Sequence, residues 1–258
     1  MSPNNDGTQA QVIEDGASWE IGGDVPAISL SGRNLVWDWP VRLFHAALIV
    51  SILTAFVTNR LGVSYFKYHL WSGYSVTLLV SFRILWGLVG TRHARFWNFV
   101  RGPFATWRYA QDLLKGRDGH HPGHNPLGAV MVLLLLAALA VQALTGLVSN
   151  DEICNAGPLV GYLDNSLSLR LTSLHRLLFW GIALAVVLHL AAVLYHQLVR
   201  RENLVKAMIT GRKPHHLVGY GQAITSSRSL LAVLLFAALA LILFWVISHA
   251  PAANLSEF

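Results

Sequence analysis

Residues 174–198 read LHRLLFWGIALAVVLHLAAVLYHQL, a run that is apolar almost throughout and interrupted by three histidines. As an α-helix rising about 1.5 Å per residue, it covers the roughly 30 Å hydrocarbon layer of a bilayer. A helix in a soluble bundle keeps one face polar; this stretch has no such face. Trp39–Thr58, His69–Gly90, Leu127–Val148 and Leu230–Ser248 have the same character. The predicted fold is all-α, an integral membrane helical bundle of five spans, with membrane lipid as its surroundings. Composition agrees, since 54% of the 258 residues are apolar and only 12% are charged.

The chain is basic, with 19 Lys and Arg against 13 Asp and Glu. In a soluble protein that excess would raise nucleic-acid binding; here its position between spans excludes it. Arg92, Arg95, Arg101, Arg108, Lys115 and Arg117 fall between the second and third spans, and Arg200, Arg201, Lys206, Arg212, Lys213 and Arg228 follow the fourth. Those two connections are expected on the cytoplasmic side of a bacterial inner membrane. The other two hold Arg60, Lys67 and Arg170, and the longer of them, about residues 149–173, adds Asp151, Glu152 and Asp164. The expected topology has the N-terminus inside and the C-terminus in the periplasm. Residues 1–35 read as a polar tail that lacks a signal or transit pattern. Val100–Leu114 reads as an amphipathic helix on the inner surface, with Val100, Phe104, Trp107, Ala110 and Leu114 on one face.

The chemistry lies in the histidines. A histidine in lipid is a candidate site by default, although a lone one more often bonds across a helix interface. In the five-span topology His45 lies near the inner end of its span, His69 and His175 near outer ends, and His189 in the inner half of the fourth span. Two levels result, each with two histidines. His175 and His189 are 14 residues apart, which is some 40° short of four turns and about 21 Å of rise, so they share one helix face. Bis-histidine ligation places two imidazoles on opposite sides of one haem iron. The spacing predicts an outer haem between His69 and His175 and an inner one between His45 and His189. The single cysteine, Cys154, is followed by Asn155, Ala156 and Gly157 rather than by C-x-x-C-H, so both haems b would be non-covalent. Arg83, 14 residues after His69 on the same face, either pairs with a haem propionate at the inner level or snorkels to headgroups.

The sequence also resembles a known family. Trp37-Asp38-Trp39-Pro40-Val41-Arg42-Leu43-Phe44-His45, His69 with Gly73-Tyr74, Arg83-Ile84-Leu85-Trp86-Gly87 leading to Arg95-Phe96, and Gly123-His124-Asn125-Pro126-Leu127-Gly128 are similar to bacterial cytochromes b561, a family that includes the cytochrome b subunit of nickel-iron hydrogenases. The resemblance covers about residues 36–214 and implies four helices with two haems b on His45, His69, His175 and His189. Residues 215–258, a linker and the fifth span, lie outside it, as does the tail. Each is either a docking element or, for the span, a packing helix and, for the tail, a disordered segment.

Lesser candidates remain. His196 is a substitute ligand, a quinone-pocket residue or a headgroup contact. His120, His121, His124, His215 and His216 read as solvated loop residues, and Cys154 as inert. Trp71, Trp86, Trp180 and Trp245 read as interfacial anchors. The expected function is transmembrane electron transfer between the quinone pool and an outer redox partner, either a c-type cytochrome or a hydrogenase-like enzyme. The alternatives are a self-contained superoxide:quinone oxidoreductase, with Lys67 beside an exposed outer haem, and a histidine-lined metal transporter. The near absence of Asp and Glu from the spans disfavours the last.

Overall fold

The structure, a computed structural model, describes residues 33–117, 119, 121, 123–153, 155–214, 217–218 and 221–251. Cys154, His120, His215, His216 and most of the N-terminal tail lie outside them.

The five expected spans are five long helices, α1 (Trp39–Arg60), α2 (Phe66–Val89), α5 (Pro126–Leu147), α6 (Asn165–Leu198) and α8 (Ser229–Ser248). Between them lie the short helices α3 (Phe96–Phe99), α4 (Pro103–Leu114) and α7 (Leu204–Thr210), and the strands β1 (Arg33–Leu35) and β2 (Arg212–Pro214). Local chemistry starts the helices. Asp38 accepts from Val41 N at 2.7 Å and Asn125 from Gly128 N at 2.7 Å, each just before a proline in the first turn, where a missing N–H costs nothing. Large apolar side chains stand outward, among them Val50 at 64% and Leu184 at 61% exposed, as lipid-facing residues must. The protein is a multi-pass membrane helical bundle.

Several boundaries differ from expectation: α1 runs on through Arg60 and α2 begins at Phe66, so Arg60 and Lys67 are helical rather than in a connection, and two starts differ for clear physical reasons. The fourth span begins at Asn165 rather than near residue 174, because Asp164 caps it by accepting from Leu167 N at 2.9 Å. Ser168 Oγ and Thr172 Oγ1 then donate to Val148 O at 2.8 Å and Asn150 O at 3.1 Å. At 34 residues, or about 51 Å, α6 outruns the hydrocarbon layer, and Arg170 is helical rather than in a connection. The surface helix starts at Pro103, so Val100 is a linker residue. Its expected apolar face still stands open, with Phe104 71% and Leu114 89% exposed.

At the end where α1 starts, the chain closes on itself. β1 pairs antiparallel with β2, and the N–H groups of Val36 and Trp37 both donate to Gly211 O, at 2.8 and 3.0 Å. Gly211 has φ +78°, and a Cβ there would lie 2.6 Å from Trp37 O, so the turn requires glycine. Buried Asp38 also accepts from Trp86 Nε1 at 3.1 Å and from Thr91 Oγ1. Trp86 is thus fully buried, not an interfacial anchor. Trp71, Trp180 and Trp245 do stand outward, 59–62% exposed. Val36, Trp37, Phe44, Leu79, Phe82 and Trp86 form the core at this end, and a second cluster joins α2, α5 and α6 through Val80, Leu139 and Ile182. Helix α8 packs on α1 and α2, with the Phe82 and Phe236 rings 5.9 Å apart.

Candidate functional site

Helix α2 carries His69 and helix α6 carries His175, and the bundle brings their rings face to edge with centres 6.4 Å apart. The two Nδ1 atoms are tied down alike. His69 Nδ1 lies 2.9 Å from Ala55 O on α1, and His175 Nδ1 lies 2.9 Å from Gln142 O on α5. A carbonyl only accepts, so each Nδ1 carries the proton and each Nε2 presents a lone pair. Gly146 makes the space for His175, because a Cβ there would sit 2.9 Å from the ring's Cε1. Thr145 Oγ1 is 3.3 Å from the same Nδ1, and the Gln142 side-chain amide nitrogen is 3.2 Å from Nε2.

This arrangement fits an axial ligand pair. With metal–imidazole bonds of about 2 Å and ring centres about 1 Å behind the ligating nitrogens, imidazoles sharing one iron have centres about 6 Å apart. A backbone carbonyl that accepts from Nδ1 is a usual means of aiming Nε2 at a metal.

The second level is His45 on α1 and His189 on α6, half-buried and close enough to interact electrostatically. Arg83 on α2 is 3% exposed and enclosed by protein. Its Nη1 donates to Ala94 O at 3.2 Å, and its guanidinium lies over the Phe96 ring at 5.2 Å.

His196 does not meet headgroups. It is buried, with Nε2 3.3 Å from the Asn125 amide nitrogen and Nδ1 3.5 Å from Glu202, whose other oxygen lies 3.3 Å from Lys213 Nζ. These contacts hold the Glu202 carboxyl down at about 2, with His196 the largest cause, then Lys213, against the opposing effect of burial.

His124 is also not a solvated loop residue. Its ring packs 4.7 Å from Trp37 and 4.6 Å from Phe99. Burial, with Arg83, Lys213, His93 and His189 nearby, pushes its imidazole down to about 3. His93 is lowered too, chiefly by burial, against the opposing effect of a 2.7 Å contact between its Nε2 and Gln222 O.

Sequence reasoning missed Gln142, Thr145 and Gly146. An amide in the middle of an otherwise apolar span was the available signal for the first; nothing local marks Gly146, whose role is to leave room for a ring on another helix.

The family model described as prokaryotic cytochrome b561 matches residues 36–211. A protein of Rhodobacter capsulatus named a probable Ni/Fe-hydrogenase B-type cytochrome subunit is 25% identical over 226 residues, covering 74% of this chain and 85% of the relative. A Cupriavidus necator protein of the same name is 24% identical over 241 residues, covering 79% of this chain and 96% of the relative. One from Rhizobium leguminosarum bv. viciae is 25% identical over 215 residues, covering 69% and 87%. No solved structure matches.

Proposed function

The chain belongs to the prokaryotic cytochrome b561 family of membrane electron-transfer proteins with b-type haem, and from that premise we propose that it holds two non-covalent haems b and carries electrons between the membrane quinone pool and a partner at the periplasmic face. His69 and His175 hold the outer haem, His45 and His189 the inner one. The observation that carries this reading is the His69–His175 pair, with ring centres 6.4 Å apart and both Nδ1 atoms on backbone carbonyls. The relatives' names favour a nickel-iron hydrogenase over a c-type cytochrome as the partner.

Bound haem supplies a one-electron Fe(III)/Fe(II) couple. The protein's part is placement and exclusion. Ala55 O and Gln142 O fix the outer imidazoles. Helix α6 separates the two levels by 14 residues, about 21 Å. The apolar spans keep water from both levels, and Arg83 balances a propionate at the inner one.

The test is haem content. Purified full-length protein is expected to yield about two haems per chain, extractable by acid acetone. One haem per chain, none, or a haem that stays with the polypeptide would refute the reading.

A further inference from the structure

At the α1-start end two buried polar groups lack the partner their chemistry requires. His124 Nδ1 is enclosed and has no hydrogen-bond partner. Arg83 donates to Ala94 O, and among the described residues it makes no ion pair. The nearby acid, Asp38, is already engaged by Val41 N, Trp86 Nε1 and Thr91 Oγ1. A buried guanidinium without a carboxylate and a buried imidazole nitrogen without a partner are each costly.

A chain of ring contacts links the two groups. From Arg83 the guanidinium lies 5.2 Å over Phe96, whose ring is 5.9 Å from Phe99, whose ring in turn is 4.6 Å from His124. Arg83 and His189 are both within electrostatic range of His124. His124 as a whole is half-buried, while its Nδ1 is enclosed. Lys213 and His93 add to the electropositive surroundings.

We propose that Arg83 and His124 form a carboxylate-binding site, and that its ligand is a propionate of the inner haem. This rests on the reading of His45 and His189 as the inner haem's ligands. One carboxylate satisfies both donors, the guanidinium by charge and the imidazole N–H by a charge-assisted hydrogen bond. His124, neutral on its own, supplies a donor without a second buried charge.

The test compares a haem that has its carboxylates with one that does not. Full-length apoprotein from haem-starved cells, in mild detergent, is titrated with protohaem and with protohaem dimethyl ester. The inner component is identified as the one that His45→Ala removes. Wild type is expected to bind the ester at the inner level more than about tenfold more weakly than protohaem, because the ester offers no charge to Arg83 and only a weaker acceptor to His124. His124→Phe, which preserves ring packing against Trp37 and Phe99, is expected to weaken protohaem by about tenfold, the worth of one charge-assisted hydrogen bond, and the ester by less. His124→Gln, which retains an N–H donor, recovers most of the loss. In the holoprotein, His124→Phe is expected to shift the propionate bending band in the resonance Raman spectrum of the inner component alone.

Equal wild-type affinity for the two haems at the inner level overturns the proposal, as does His124→Phe weakening both haems alike. Should His124→Phe fail to assemble, His124→Leu takes its place in the same comparison. If wild type binds no haem that depends on His45 and His189, the di-haem reading fails and the proposal with it, an outcome distinct from two haems with no ester discrimination.

Discussion

Gly146 shows how little room the outer level has. A methyl group there would meet His175 Cε1 at 2.9 Å and Nδ1 at 3.2 Å, so Gly146→Ala must turn the ring off Gln142 O. The outer spectral component is expected to fall several-fold while the inner one persists in reduced-minus-oxidised spectra; both intact would mean that the ring has slack. Glu202 yields a prediction with a pH signature. Its carboxyl sits at about 2 in the folded chain against an ordinary value of 4.5. A depressed folded value stabilises the fold fully above the ordinary value, and that contribution is lost as pH falls through the folded one. Glu202→Gln is therefore expected to cost about 3 kcal/mol near neutral pH, as breaking a mostly buried pair does. The gap from wild type should close between pH 4.5 and about 2 in thermal melts; a gap independent of pH would sink the assignment.

At the scale of the element, α6 is the ruler of the proposed electron path, because one rigid helix carries a histidine for each level, 14 residues apart. His69→Ala and His175→Ala are expected to abolish the same spectral component, and His45→Ala and His189→Ala the other. Loss of either axial nitrogen leaves a five-coordinate haem that is weakly held. His196→Ala is the contrasting case on the same helix. Its ring lies 3.3 Å from the Asn125 amide nitrogen and 3.5 Å from Glu202, so its loss should lower thermal stability and leave both components in the spectrum. A missing inner component in His196→Ala, with His189→Ala unaffected, would move the inner site by two turns. The extra turns at the start of α6 serve a different purpose: Ser168 and Thr172 hydrogen-bond the chain that leaves α5, so this end is tied by polar contacts beyond the span.

Across the whole molecule, the two basic connections meet at one end. Arg92 donates to Gly221 O at 2.8 Å, Lys213 to His121 O at 3.0 Å, and β2 pairs with β1, so segments before α1, after α2 and after α6 form one polar layer. The twelve Lys and Arg of those connections lie on the side proposed as cytoplasmic. Alkaline phosphatase fused after residue 251 should be active, whereas fusion near Gly116 should be inactive. The reverse pattern would invert the topology and place the inner haem level toward the periplasm.

The five spans are legible because they follow from a one-dimensional quantity, hydropathy sustained over a bilayer's thickness, whereas the sequence leaves Arg83 open between burial and snorkelling. Hydropathy alone starts α6 too late, because its true start is set by the Asp164 cap and two hydroxyl contacts to another segment. The aiming of His175 by Gln142 O, the clearance at Gly146, the burial of Trp86 against Asp38 and the enclosure of His124 were decided only in the tertiary structure. Each depends on which helix faces which, and at what rotation about its axis. Spans apolar on every side leave that rotation unspecified until the helices pack.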